Sequence, residues 1–477
     1  MKKQIIALVS LAVALFGLLG ALILLRRQPP VEEGASALSM LGSYEVFRFE
    51  APIAEVTVVQ HGNGANYTVK SIPDSSGGDA PSSTLVGREG LPVDASKTGK
   101  LLSSAQTLEA TQLLYEQADD FGPFGLADPL ATIQITDVNG VGKTFLIGNF
   151  APDKSNYYVR LQGESTIYLV PSYRLSVYLQ PEASYMRTAI TEGGATSYYA
   201  AQKISLGGMV REGLGQVDVT PVTAAEATPM DLHTHMLRAP VARPLHYQYG
   251  FEALLTLFSL EAAEVTAIGP DEALLAACGL DPDQPYATAS VQCQQYGDFR
   301  LLAGKPDGAG FVYMMREGTP LLYKVSVDQA PWLEMQFFDL MYSNVSTLYL
   351  DEIAEIIISA GGRDYRFVLD HTNSARLEVD IEGRRANRDS FMKLCETLRK
   401  ARYEEYTFDP LPEGVSPELQ VAYRYLSGGP DKLISFYPGP ARKYMVDAGD
   451  IDFRFYTTSL YVDKVLSETA AAAMPGE

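Results

Sequence analysis

The residues whose types and spacing suggest chemistry are few and scattered. Asp231-x-His233-x-His235, with His246 downstream, sets two histidines two apart. On a strand these two would share a face, as a zinc site needs. The surrounding insertion is Pro-rich and weakly patterned, and no Cys or Glu supplies an obvious further ligand, so a solvated loop is the expectation. Ser390-x-x-Lys393 and Lys97-Thr98-Gly99 match two signatures of penicillin-binding serine enzymes. Their order along the chain is reversed, the Ser-Asp-Asn element is missing, and Ser390 falls near the start of an amphipathic helix. Asp447, Asp450 and Asp452 would suit calcium, but the spacing is not that of an EF-hand and no glutamate closes the loop. A strand-connecting turn is expected there. Gly207-Gly208 and Gly213-x-Gly215 lack the lysine or the spacing of a phosphate loop. Tyr157-Tyr158 and Tyr247-x-Tyr249 offer stacking surfaces for sugars, although 28 tyrosines beside a single tryptophan read mainly as half-buried sheet. These residues assign no catalytic, cofactor-binding or metal position. No cofactor is expected, and the reading is non-enzymatic.

The elements that would position such residues begin with a membrane segment. Residues 5–25 are apolar or small without a charge, flanked by Lys2, Lys3, Arg26 and Arg27. As a helix the run would reach about 31 Å, enough to cross a hydrocarbon core of about 30 Å. No small-x-small cleavage site follows it, and the first cysteine is Cys278, so a retained transmembrane anchor over 1–30 is expected rather than a signal peptide or lipoprotein. The basic flanks tie at two each, and the short leader favours an N-terminus inside. Lateral contacts in the bilayer would use Gly17, Gly20 and Ala21, although such residues are also ordinary in an anchor. The chain carries a net charge of −20. All four basic flanking residues belong to the anchor, which leaves the remainder still more acidic. Such a field repels nucleic acid and anionic headgroups, and excludes a nucleic-acid partner. Three cysteines, Cys278, Cys293 and Cys395, cannot build a disulfide framework. One bridge between Cys278 and Cys293 is conceivable; buried free thiols are the expectation.

Beyond the anchor the sequence repeats itself. A turn at 124–129 is followed by predicted strands at 132–136, 144–148, 157–160 and 167–170 and a closing helix at 172–179. Asn139-Gly140 marks the first hairpin. The same order returns about 155 residues later, from Gly279 to a closing helix at 326–333, and again in a shorter copy from Gly414 to a helix at 459–466. Each copy has a front hairpin, around His61-Gly62, at 204–220 and around Gly361-Gly362. A predicted helix follows each hairpin, near 100–115, 251–264 and 388–399. The expected class is α+β: an N-terminal transmembrane helix and three repeated antiparallel-sheet-plus-helix units at 44–180, 198–335 and 346–467.

Four stretches of the first unit carry a family resemblance: Phe49, Ile53 and Val56-x-Val58; Phe124-Gly125-Leu126-x-Asp128-Pro129; Leu146-Ile147-Gly148; and Tyr157-Tyr158-Val159-Arg160. With the apolar N-terminus, they resemble bacterial membrane-anchored proteins grouped as domain of unknown function 4340, most fully over 44–180. The resemblance implies a place outside the cytoplasmic membrane and association with ABC-type export systems like the gliding-motility auxiliary transporters. It supplies no catalytic residue. The expected role is a membrane-tethered extracytoplasmic accessory or scaffold protein, its partners the lipid bilayer and membrane subunits of an ABC-type transporter. The alternative is a cell-envelope glycan- or peptide-binding protein or enzyme with a site between repeat units.

Overall fold

The computed structural model describes residues 43–475, apart from 63, 73–81, 225, 227–232, 346–347, 373–376, 404, 429–430 and 450–452. The apolar run at 5–25 and its Gly17, Gly20 and Ala21 lie outside the described residues. Among the described residues no helix is long and apolar enough to cross a membrane.

The chain divides into two compact units, one ending at Arg187 and one beginning at Thr188. The first holds a sheet of eight strands. From edge to edge these are Ser82–Leu85, Asn66–Ile72, Ile53–Gln60, Ala131–Asp137, Gly142–Phe150, Asn156–Leu161, Ile167–Pro171 and Gln112–Tyr115. Alternation fixes the faces: Val56 and Val58 are fully buried, and they pair with buried Ile135 and Ile133 across the central seam. Tyr44–Arg48 and Thr107–Ala110 form a separate two-stranded ribbon, brought against the large sheet where Phe47 meets Phe145 with ring centroids 5.8 Å apart.

The second unit holds two nine-stranded sheets. One is centred on Lys203–Gly207 paired with Ala287–Gln292, the other on Ile353–Ala360 paired with Leu419–Tyr425. All three large sheets follow one order. Front strands run outward from the centre, a four-strand meander runs the other way, and the strand just ahead of the meander closes the far edge. The linker between the two nine-stranded sheets binds them together. Arg243 Nη2 donates to Asn344 O at 2.9 Å with its guanidinium 4.9 Å over the Tyr403 ring, and Phe337 packs on Tyr406 and Phe453.

The α+β expectation is corrected. Every strand pairing in the four sheets is antiparallel, and helices are few: among the described residues only Ala95–Ser104, Arg388–Leu398 and Ser459–Ala472 reach ten residues. Two features account for the difference. Behind Ala95–Ser104, the residues of the predicted helix near 100–115 continue as strands Thr107–Ala110 and Gln112–Tyr115, the first of which alternates in burial with period two. The closing helix at 172–179 shortens to one α-turn and a 3-10 turn, and that at 326–333 to two 3-10 turns, the second beginning at Pro331.

Two glycine contacts explain the turn motif. Leu126 is buried with Leu146 and Ile167, which seats the 3-10 turn Gly122–Phe124 on the sheet. A Cβ on Gly148 would sit 2.3 Å from Phe124 O, so the turn fits only over a bare α-carbon. Gly304 repeats the arrangement under Gly279, with 2.7 Å to its carbonyl oxygen. Gly148→Ala and Gly304→Ala should each lower stability by about 2 kcal/mol. Gly163→Ala, where a Cβ meets nothing within 4 Å, should cost about 1 kcal/mol from its positive φ alone. Equal urea midpoints for all three variants would refute the contact.

Candidate functional site

The first unit contains a cavity of about 710 Å³, within the range typical of small-molecule sites. One wall is helix Ala95–Ser104, which supplies Lys97, Lys100 and Ser104. Asp94 caps this helix by accepting the amides of Ser96 and Lys97 at 3.0 and 3.3 Å. Thr98, Leu101 and Leu102 are its buried face, and the Thr98 hydroxyl bonds Ser83 at 2.8 Å inside the protein. That packing turns Lys97 and Lys100 outward into the cavity. Thr107 and Leu108, from the two-stranded ribbon, form the base.

The opposite wall is residues 173–185, which carry Tyr173 and Arg174. It is a succession of short α and 3-10 turns, held by side chains of the sheet. Gln60 Nε2 donates to the carbonyls of Tyr178 and Gln180 at 3.1 and 2.8 Å, and Tyr67 donates to Gln180 O at 3.0 Å. Tyr185 donates to Val177 O at 2.5 Å. Burial pushes the Tyr185 phenol up to about 12, and pushes Tyr67 and Tyr178 above the usual phenol range, so these hydroxyls stay protonated. Arg88 grips Glu182 with two bonds at 2.7 and 3.0 Å. Lys97 reaches across the cavity to Ser184 O at 3.0 Å. Arg174 Nη2 donates to Glu109 Oε2 at 2.7 Å.

The sequence candidates fall elsewhere or take structural roles. Asp231 lies outside the described residues. His235, expected in a solvated loop, is buried at the start of strand His235–Ala239. Its Nδ1 is 2.9 Å from Thr234 Oγ1 and its ring 4.5 Å from that of Tyr198. His246 Nδ1 accepts the amides of Gln248 and Tyr249, ordering the turn into helix Tyr249–Leu255. Among the described residues no three His, Cys, Asp or Glu side chains gather as a metal site would require. Thr98 of the Lys97-Thr98-Gly99 run is a buried packing residue, and the Ser390 amide donates to Asn387, the cap of Arg388–Leu398. Asp450 and Asp452 lie outside the described residues, while Asp447 accepts from the Gly449 amide and pairs with Arg454. Cys278, Cys293 and Cys395 are free thiols, and burial pushes Cys395 up to about 12. Tyr157 packs at a tilt on Phe150 and Tyr158 edge-on to Phe124 within the first unit, whereas Tyr247 and Tyr249 are exposed.

Lys100 and Arg174 were not singled out from the sequence, although a signal exists. Residues 95–108 and 165–181 contain basic side chains and no acid, in a chain with 58 acidic residues. The fold lines one cavity with both windows.

No curated protein and no solved structure matches the chain. A family model does match, over residues 84–282, from the outer edge of the first sheet into the second unit. The match includes the turn 124–129 and Gly148 but not the opening strand at 53–60, so it begins later and runs farther than the 44–180 stretch of closest resemblance. Over residues 84–282, a little under half of the chain, the match is to the family described as Domain of unknown function (DUF4340).

Proposed function

We propose that this chain is a membrane-held accessory protein, non-enzymatic, presenting its sheets on the extracytoplasmic side as an auxiliary component of an ABC-type transport system. The observation that carries this reading is the apolar stretch 5–25 between two basic pairs, set directly ahead of a strongly acidic β-structure. The transporter partner follows from what the family resemblance implies. The sheet edges support recognition through faces and cavities rather than by strand addition. Four of the outermost strands, Ser82–Leu85, Arg243–Pro244, Arg384–Arg385 and Glu405–Thr407, are only two to four residues long, and three of these carry charge or proline. The acidic field disfavours nucleic acid as a partner.

Cross-linking in native membranes followed by capture of the chain tests the reading. Transporter subunits should be recovered with it, and the chain should stay in the membrane fraction after an alkaline wash. Release by the wash removes the tether, and capture without any transporter subunit removes the assignment. A second reading, a ligand-binding protein of the cell envelope, is favoured by one observation: the cavity of about 710 Å³ with its braced wall.

A further inference from the structure

We propose that the cavity of the first unit binds a small organic oxyanion, a carboxylate or phosphate, through Lys100 and Arg174, with Lys97 bracing the walls. The proposal deepens the ligand-binding reading and does not depend on a transporter partner.

Three observations carry it. The side chains lining the cavity include Lys97, Lys100 and Arg174 and not one carboxylate, in a protein whose net charge is −20. Lys97 and Arg174 are balanced from outside the lining, by Asp94 at 3.7 Å and Glu109 at 2.7 Å. Among the described residues Lys100 has no such partner, so the cavity keeps one uncompensated positive charge at its helix wall. The donors are also free to act. Arg174 spends only Nη2 on Glu109, and an arginine carries five N–H donors in a planar fork suited to an oxyanion.

The second observation is rigidity. The wall that carries Arg174 is fixed by Gln60, Tyr67, Arg88 and Lys97, so a ligand would not have to order it on binding. The third is the rest of the lining. Ser104 and Thr107 offer hydroxyls, and Tyr173, 71 % exposed, offers a ring face at the rim. Cation, hydroxyl and aromatic groups together suit an anionic head on a polar, hydroxylated body. A bare inorganic ion would use only the first of these.

Calorimetric titration of the full chain in a non-ionic detergent tests the inference, with glucose 6-phosphate, citrate and glucose as probes. Saturable binding of one or both anions, without binding of glucose, is expected. Lys100→Glu should weaken it about tenfold or more, since each 1.4 kcal/mol is a factor of ten. Lys154→Glu, at an exposed turn of the same unit, should leave the affinity unchanged. Which anion binds separates phosphate from carboxylate. Equal weakening by both variants would assign the effect to the general field and overturn the site. Glucose binding as tightly as the anions would keep a ligand cavity but overturn the oxyanion. No binding by any probe would overturn both. An unchanged thermal melt of Lys100→Glu shows that the variant is folded.

Discussion

Arg211→Met is expected to lower the stability of the second unit by about 4 kcal/mol. Arg211 is 1 % exposed, at the end of the 3-10 turn Met209–Arg211, and all its hydrogen bonds go to backbone carbonyls. Nη1 donates to Gly207 O at 3.1 Å, Nε to Met335 O at 3.0 Å, and Nη2 to Trp332 O and Met335 O at 2.6 and 2.5 Å. The guanidinium thus ties the end of a central strand to the segment after the meander. Burial pulls its pKa down to about 10, so it still carries its charge at neutral pH. Methionine fills the volume but leaves the carbonyls of Trp332 and Met335 without donors. Arg211→Lys keeps the charge, yet one ammonium cannot reach three carbonyls spread around a planar fork, and it should recover less than half of the loss. Trp332 is the single tryptophan, fully buried and directly bonded to Arg211, so its fluorescence reports this unit alone during urea unfolding. A midpoint for Arg211→Met matching the parent would sink the assignment.

Acidification should weaken the same unit through His235. Burial pushes this imidazole down to about 4. A proton on Nε2 would have to sit in an apolar setting beside Tyr198, where that nitrogen is buried without a hydrogen-bond partner. Between about pH 6.5 and 4 the unfolded chain therefore binds a proton that the folded chain does not. The contribution is complete above about pH 6.5 and is lost as pH falls towards 4, amounting to about 3 kcal/mol. His235→Phe, which keeps a ring against Tyr198, should remove most of that slope while holding stability at pH 7. The tryptophan-monitored midpoint measured across this range decides it: identical pH slopes in parent and variant would show that another group governs the acid response.

The strands of this fold were legible because their signals are local. Asn139-Gly140 sets a hairpin between Ala131–Asp137 and Gly142–Phe150, and the alternation of Val56 and Val58 marks a half-buried strand. Helix Arg388–Leu398 was legible for the same reason, with Phe391, Leu394, Cys395 and Leu398 on one face under an Asn387 cap. The closing helix expected at 459–466 also stands, within Ser459–Ala472, whereas the helix expected near 100–115 gives way to strands beyond Ser104. In Gln112–Tyr115 the sequence has no way to announce that its partner is Ile167–Pro171, some fifty residues on. The cavity was still less legible. Lys100 and Arg174 are 74 positions apart, and what joins them is tertiary: a helix pinned by Thr98 and Ser83, and a wall hung from Gln60 and Tyr67. His235 misled for a related reason. A histidine in a polar-looking stretch gives no sign that a tyrosine ring will close over it.

The two-stranded ribbon gives the first unit a mechanical entry point. The described chain begins next to Tyr44–Arg48, which runs antiparallel to Thr107–Ala110, from Tyr44 on Ala110 to Arg48 on Thr107, with a bulge between Glu45 and Phe47. Thr107 and Leu108 belong to the base of the cavity. A pull along that first strand, from whatever holds residues upstream of it, loads the ribbon's hydrogen bonds in shear, side by side rather than one after another. Tension applied upstream of Tyr44 is thereby delivered to the strand that lines the basic cavity before it reaches the large sheet.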